Sequence, residues 1–161
     1  MSIIDSLVTN RMEADVTRWL SLRDKGYENM TEAERAEWNN GMKGAYNPHK
    51  DMNRVGEALN YLRDRLAELG YLRPDIFTAK TDWQEGDIPT AEQLAEYLYF
   101  VSVIRNAIAV FPTTMLVPAF SGGLNYREAN NIESILKDVD ALINKMLLSG
   151  YYLGELFCGE V

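Results

Sequence analysis

The chain has 161 residues, 47% of them hydrophobic, and a formal net charge of −8 at pH 7. This length and apolar content predict one domain with a substantial core. The acidic balance argues against nonspecific nucleic-acid binding, which depends on Lys and Arg, and against binding to an anionic membrane surface. We therefore expect neither nucleic acid nor membrane among the partners.

The sequence shows no signal for export, membrane insertion or disulfide bonding. Asp5 lies where a signal peptide would be positively charged. The longest apolar run, Tyr97–Ile104, is far shorter than the ~20 residues that cross a bilayer. The single Cys excludes an intrachain disulfide framework.

Helix-start signals recur along the chain. Thr31, Thr90 and Asn125 each stand three residues before a Glu or Gln. In this spacing, the first side chain accepts a hydrogen bond from an amide of the first turn, and the third reaches back to the amide of the cap residue. Each pair therefore predicts the start of a helix.

Together with the apolar periodicity, these signals predict five helices and an all-α fold. The third helix opens at Asn47-Pro48 or, as the competing choice, at Asp51, and Gly70 is suited to end it. The predicted segments are about Asn10–Lys25, Thr31–Asn40, Asn47–Leu69, Ala91–Val110 and Tyr126–Ser149, the last ending at Gly150.

The remaining segments predict two long irregular loops and a tail. Residues 71–89 contain two prolines, Gly86 and several Asp and Thr, although Tyr71–Arg73 or Ala79–Thr81 could be extended, and residues 112–123 form the second loop. Residues 151–161 contain three aromatic residues and spaced glycines, which favours an extended segment that packs on its own domain or on a partner. We therefore expect a helical bundle over residues 1–150 and an extended aromatic tail over 151–161.

The fourth predicted helix is apolar around most of its circumference. Tyr99, Phe100 and Val103 extend the apolar surface beyond its main stripe, so that this helix must be central or shared with another subunit. The predicted partner-binding residues are those three and the apolar residues of the tail, namely Tyr151, Tyr152, Leu156 and Phe157.

Residues with reactive side chains are few, and none predicts a catalytic, cofactor or metal site. His49 is the only histidine, and we expect it to be an exposed loop or first-turn residue. Cys158 lies between Glu155 and Glu160, which would raise its pKa and disfavour a nucleophilic role. The Asp82–Asp87 loop has three carboxylates but fails the EF-hand register.

Several blocks of the sequence resemble one known family, which is encoded in the structural modules of phages and prophages of gut Firmicutes. The blocks are Asn29–Trp38 continuing through Gly41–Asn47 to Asn53–Val55, Lys80–Trp83 followed by Asp87–Thr90, and Leu124–Glu133 with the Gly-Glu-rich tail. In related sequences the tail reads as a Ser-Gly-Glu repeat, whereas here it contains Leu153-Gly154-Glu155 and Cys158-Gly159-Glu160.

The resemblance implies a virion-associated protein of the tail, baseplate or fibre region, assembled in the host cytoplasm and without catalytic residues. Its expected partners are further copies of itself and other virion proteins. One alternative is a glycan or host-surface recognition module that uses Trp83 with Tyr71 and Tyr126. Another is a small hydrolase that uses the Asp82–Asp87 loop.

Overall fold

The computed structural model describes residues 2–119 and 123–157, with side chains as far as Gly150. The described residues form helices and loops without any strand, which confirms the all-α prediction. Short turns lie at Ile3–Ser6 and Tyr27–Asn29 (both 3-10) and at Pro48–Met52 (π-helical). The five α-helices are α1 Glu13–Lys25, α2 Glu32–Asn39, α3 Asn53–Glu68, α4 Ala91–Asn106 and α5 Tyr126–Phe157.

All three predicted helix-start pairs form. The Thr31 hydroxyl accepts from the Glu34 amide at 3.3 Å, while the Glu34 carboxylate accepts from the Thr31 amide at 2.8 Å. Thr90 makes the same reciprocal pair at the start of α4. At α5, the Asn125 side chain accepts from the Glu128 amide at 3.0 Å and the Glu128 carboxylate accepts from the Asn125 amide at 2.8 Å. These contacts satisfy amides that have no partner within the helix.

The third helix opens where the first of the two choices placed it. Asn47 caps the π-helical turn by accepting from the His49 amide at 2.9 Å, and the regular helix α3 follows from Asn53. Gly70 ends α3 with φ +80°, and the Tyr71 amide donates to the Leu66 carbonyl at 2.8 Å. A left-handed residue at this place is favourable for Gly because it has no Cβ.

The core lies between α3, α4 and α5. Burial of each large aliphatic side chain there stabilises the fold by roughly 1.5–3 kcal/mol. The 3-10 turn near the N-terminus adds Ile4, and the loop after α3 adds Phe77 and Trp83. The fully buried residues of the three helices include Val55, Leu59, Leu62, Leu66, Val101, Ile104, Ile132, Ile135, Leu136, Val139 and Ile143.

The first two helices form a hairpin that is held mainly by polar contacts. Leu22 is the buried residue of α1, and none of Glu32–Asn39 is buried. Arg18 pairs with Glu37 at 2.8 Å, and Lys25 pairs with Glu34 at 2.6 Å. The hairpin therefore stands beside the three-helix core and contributes little apolar burial of its own.

Two asparagines of α3 hold an extended segment of the first loop. The Asn60 side chain donates to the Ala79 carbonyl at 2.9 Å and accepts from the Ala79 amide at 2.8 Å. Asn53 makes the same two bonds with the backbone of Trp83, at 3.0 and 2.8 Å. Gly56 lies between them, and a Cβ there would be 2.5 Å from the Lys80 carbonyl oxygen. The glycine thus allows the loop backbone to approach the helix.

Two predicted helix ends are wrong. Helix α4 ends at Asn106 and not at Val110, because the following loop folds back and the Arg105 side chain donates to the Met115 carbonyl at 2.8 Å. Pro112 also disfavours helical conformation at the residue before it. Together these features end the helix one turn early.

Helix α5 does not end at Gly150 but continues to Phe157. Gly150 is not among the glycines with positive φ. A glycine inside a helix costs only ~1 kcal/mol relative to Ala, which neighbouring helix-forming residues such as Leu can offset. The predicted extended tail is therefore helical over residues 151–157, and residues 158–161 lie outside the described part. The predicted domain boundary at residue 150 falls inside this helix.

No helix of the described residues is sufficiently long and apolar to span a membrane.

Candidate functional site

The predicted partner-binding residues of α4 have different environments. Tyr99 is 57% exposed, as expected for a docking residue, and Val103 is half-buried against the core. Phe100 is a correction, because its side chain is buried and its ring stacks on Phe77 with centroids 4.5 Å apart. The loop between α3 and α4 therefore covers part of the apolar surface that α4 exposes beyond its main stripe. The predicted partner-binding residues of the tail lie beyond the last side chain that the structure describes, at Gly150; they are Tyr151, Tyr152, Leu156 and Phe157.

Trp83 is not an exposed platform for a sugar ring. Its side chain is buried in the core, and the Lys80 ammonium lies 5.1 Å from its ring centroid. Tyr71 is exposed and Tyr126 is half-buried. The predicted aromatic recognition surface thus lacks its central residue, because the asparagine contacts to the loop turn Trp83 inward.

The other residues with reactive side chains are exposed or make local contacts. His49 is exposed in the turn before α3, as predicted. In the Asp82–Asp87 loop, the hydrogen bond and charge of Lys80 lower the pKa of Asp82, and Asp87 accepts from the Gln84 amide. No group of three or more His, Cys, Asp or Glu residues within the described part could hold a metal ion. Cys158 lies outside that part.

A buried ionic cluster, which the sequence analysis missed, connects three distant segments of the chain. Arg11 pairs with Glu133 at 2.7 Å and with Asp51 at 3.0 Å. Arg54 pairs with Asp51 at 2.7 Å and with Glu133 at 2.9 Å. We call these four residues the ionic cluster. Two cations face two anions, so that the cluster is formally neutral.

Hydrogen bonds saturate both carboxylates of the ionic cluster. Asp51 also accepts from the Asn47 amide at 2.7 Å, and Glu133 also accepts from the Val8 amide. Burial alone would lower the pKa of the Arg54 guanidinium, but hydrogen bonds and charges from Glu133 and Asp51 outweigh it and raise that pKa. Such saturation is what makes burial of charge tolerable.

A pair of tyrosines adjoins the cluster. The hydroxyl groups of Tyr46 and Tyr97 are hydrogen-bonded at 2.8 Å, and the Arg11 guanidinium lies 5.5 Å from the centroid of the Tyr46 ring. Burial raises the pKa of both phenols above its ordinary value. These groups stay protonated at neutral pH and serve as hydrogen-bonding partners, not as bases.

A cavity of about 330 Å³ opens beside the ionic cluster, between the α1–α2 hairpin and the turn before α3. Its walls include Trp19 and Trp38, and its cations are Lys43, Lys50 and the two arginines of the ionic cluster. We call it the basic cavity. The carboxylates on its lining are Asp51, which is already paired, and Glu85.

The far end of α5 extends past the end of α3. Arg54 contacts Glu133, and Arg65 donates to Asn144 at 2.9 Å, so that α3 and α5 run in the same direction. Helix α3 ends at Glu68, about one turn after Arg65. Helix α5 continues much farther beyond Asn144, as far as Phe157. Ile143 is the last buried side chain described in α5. We call residues 144–157 of α5 the docking end. These fourteen residues span about 21 Å along the helix axis, at 1.5 Å per residue.

The apolar register of α5 continues into the docking end. Ile132, Leu136, Val139 and Ile143 are fully buried at alternating steps of four and three residues, and Met146, Gly150, Leu153 and Phe157 continue these steps in the sequence. Leu147 and Leu148 are 43% and 64% exposed. A stripe at this spacing is typical of a helix that packs against another helix along its length.

Comparisons with known proteins identify no relative. No family model matches the chain, and neither a curated protein nor a solved structure is significantly similar to it.

Proposed function

We propose that this chain is a non-enzymatic structural protein of a phage virion, which self-associates through the docking end of α5 and joins another virion component. The observation that carries the self-association is the apolar stripe of α5, which is buried up to Ile143 and continues along a helix that extends past the end of α3. The phage assignment is supported by the resemblance of the sequence blocks.

A second copy of the chain is the occupant that the charges favour. The docking end contains only Lys145 and Glu155 as charged residues and is neutral, whereas the whole chain carries −8. Two acidic molecules repel one another least where neutral surfaces meet. A stripe along one helix is also self-complementary about a two-fold axis, which is the commonest symmetry of homo-oligomers.

The loop after α4 adds apolar surface near the docking end. The Thr114 hydroxyl donates to Asp138 at 2.7 Å, and the Lys145 ammonium lies 4.6 Å from the Phe111 ring centroid. These contacts hold the loop against α5. The same loop exposes Leu116, at 76%. This surface is suited to the second interaction, with another virion protein.

Light scattering of matched variants tests the self-association. Leu153→Glu places a charge in the apolar stripe of the docking end, whereas Ile88→Glu introduces the same charge at an apolar residue, 86% exposed, in the loop before α4. We expect Leu153→Glu to convert the oligomer to a monomer and Ile88→Glu to leave the mass unchanged. Equal masses for both variants and the parent chain would contradict the proposal.

Mass spectrometry of purified virions tests the phage assignment separately. We expect the chain among the structural proteins at a stoichiometry set by the virion symmetry. Its detection only in the lysate of the infected host, and never in intact particles, would contradict this part of the proposal.

A further inference from the structure

We propose that the basic cavity binds a small organic anion whose planar apolar body lies beside Trp19 and Trp38 and whose carboxylate is held by Lys50, Lys43 and Arg54. This site is separate from the docking end, so that the inference does not depend on self-association.

The cations of the basic cavity are available to a ligand. Neither Lys43 nor Lys50 forms an ion pair among the described residues, and Lys43 only donates to the Asn10 side chain at 3.1 Å. The Arg54 side chain uses its Nε and Nη2 atoms in the ionic cluster, and within the described part its Nη1 atom donates no hydrogen bond. Charged donors without partners are the groups that recognise carboxylates.

The ionic cluster does not neutralise these donors. Both oxygens of Asp51 accept hydrogen bonds, from the two arginines and from the Asn47 amide. Both oxygens of Glu133 are likewise occupied by Arg11, Arg54 and the Val8 amide. Because these carboxylates are saturated, Glu85 is the remaining anion on the lining and the two lysines outnumber it.

Two glycines lie in the segment that carries Lys43 and leads to Lys50. Gly41 has φ +84°, and a Cβ there would lie only 2.8 Å from the Lys50 ammonium nitrogen. The positive φ of Gly41 is a conformation that Gly adopts without strain, and the Lys50 ammonium group lies beside this turn. Gly44 is packed tightly against the backbone of α1, with a Cβ position 2.1 Å from the Asp15 carbonyl oxygen, so that a larger residue would push the two segments apart. These two glycines bring the lysine-bearing segment onto the hairpin that carries Trp19.

The apolar walls and the volume favour an organic body over an inorganic ion. Trp19 and Trp38 are both half-buried on the lining, and Met42 adds a further apolar side chain. The volume of about 330 Å³ is at the lower end of the range of ligand sites, and roughly ten times the volume of a water molecule in the liquid. An ion of a few atoms would leave the indole rings in contact with water, whereas a planar ring would cover them.

The indole N–H signals in an ¹H–¹⁵N NMR titration test this proposal on the full chain, because Trp83 is buried elsewhere and serves as an internal reference. The probes are 2-naphthoate, the neutral 2-naphthalenemethanol and inorganic phosphate. We expect 2-naphthoate to shift the Trp19 and Trp38 signals and not that of Trp83. We expect the neutral analogue and phosphate each to bind at least tenfold more weakly than 2-naphthoate. The neutral analogue lacks the carboxylate, and phosphate lacks the planar apolar body.

Two single-charge variants complete the test. Lys50→Gln should lower the affinity for 2-naphthoate about tenfold. Arg73→Gln, on an exposed loop, should leave that affinity unchanged. Circular dichroism checks that both variants are folded. The proposal is overturned if phosphate binds as tightly as 2-naphthoate, if the neutral analogue does so, if Lys50→Gln has no effect, or if the two tryptophan signals stay in place at millimolar probe.

Discussion

Arg11 and Glu133 form an ion pair of 2.7 Å in which both side chains are almost fully buried. The two residues are 122 positions apart, so that the pair fixes the N-terminal segment on α5. The same segment is held by Asn130, whose side chain donates to the Arg11 carbonyl at 2.9 Å and accepts from its amide at 3.1 Å. Breaking this pair should therefore affect the whole fold.

We expect Glu133→Ala to lower the free energy of unfolding by about 3–5 kcal/mol, because it leaves two arginines without their shared carboxylate in a buried place. Urea denaturation followed by circular dichroism measures the change. Glu37→Ala is the control, since its pair with Arg18 is exposed and screened by water and should contribute little to stability. Similar losses for the two variants would show that the ionic cluster is not structural.

The close approach at Gly56 predicts a second effect. Gly56→Ala places a Cβ 2.5 Å from the Lys80 carbonyl oxygen, which must displace the segment that Asn53 and Asn60 hold. We expect a loss of about 1–3 kcal/mol in the free energy of unfolding. At Gly123 a Cβ would meet nothing within 4 Å. If Gly123→Ala proves as damaging as Gly56→Ala, the steric account is wrong.

The α1–α2 hairpin should weaken in acid. The Glu34 carboxylate accepts hydrogen bonds from the Lys25 ammonium and from the Thr31 amide, and these bonds lower its pKa from 4.5 to about 2. Because the folded pKa is below the unfolded value, the stabilisation is complete above pH 4.5 and is lost as the pH falls through about 2. The protection factors of the α2 amides, which correct for the intrinsic pH dependence of exchange, should therefore fall over this window. Glu34→Gln should remove that pH dependence, and its persistence in this variant would assign the effect to another group.

The helix cap at Thr90 gives a more local prediction. Thr90→Ala removes the acceptor for the Gln93 amide, which lies 3.2 Å from the hydroxyl. We expect a loss of ~1 kcal/mol in the free energy of unfolding. Thr90→Ser keeps the hydroxyl and should retain most of the stability in the same denaturation experiment. A serine variant as unstable as the alanine variant would contradict the capping role.

The sequence was sufficient for features that depend on local chemistry. Thr31 and Thr90 signal their helices because a cap bonds within its own first turn. Gly70 ends α3 because the left-handed conformation is a property of the residue itself. Gly150 shows the limit of this reasoning, since the same residue type is accommodated inside α5.

Features that depend on distant partners could not be predicted. Arg11 stands in the first turn of the predicted helix Asn10–Lys25, and nothing near it in the sequence indicates Glu133 or Asp51. The position of Glu133 did indicate burial, because it stands between Ile132 and Leu136 on the buried side of α5. A charged residue in that register indicates a buried partner but does not identify it.

The loop after α3 shows the same limit for aromatic residues. Trp83 stands in a polar stretch and was therefore a candidate for an exposed platform. Its burial depends on Asn53, thirty residues earlier, which binds its backbone. Phe100 is buried for a related reason, since Phe77 of the same loop stacks on it.

Sedimentation equilibrium over a wide range of protein concentration tests the central claim most directly. If the docking end joins two copies, the mass of the parent chain rises with concentration from 18.3 kDa towards twice that value. A mass that stays at 18.3 kDa up to the highest soluble concentration would contradict self-association through α5.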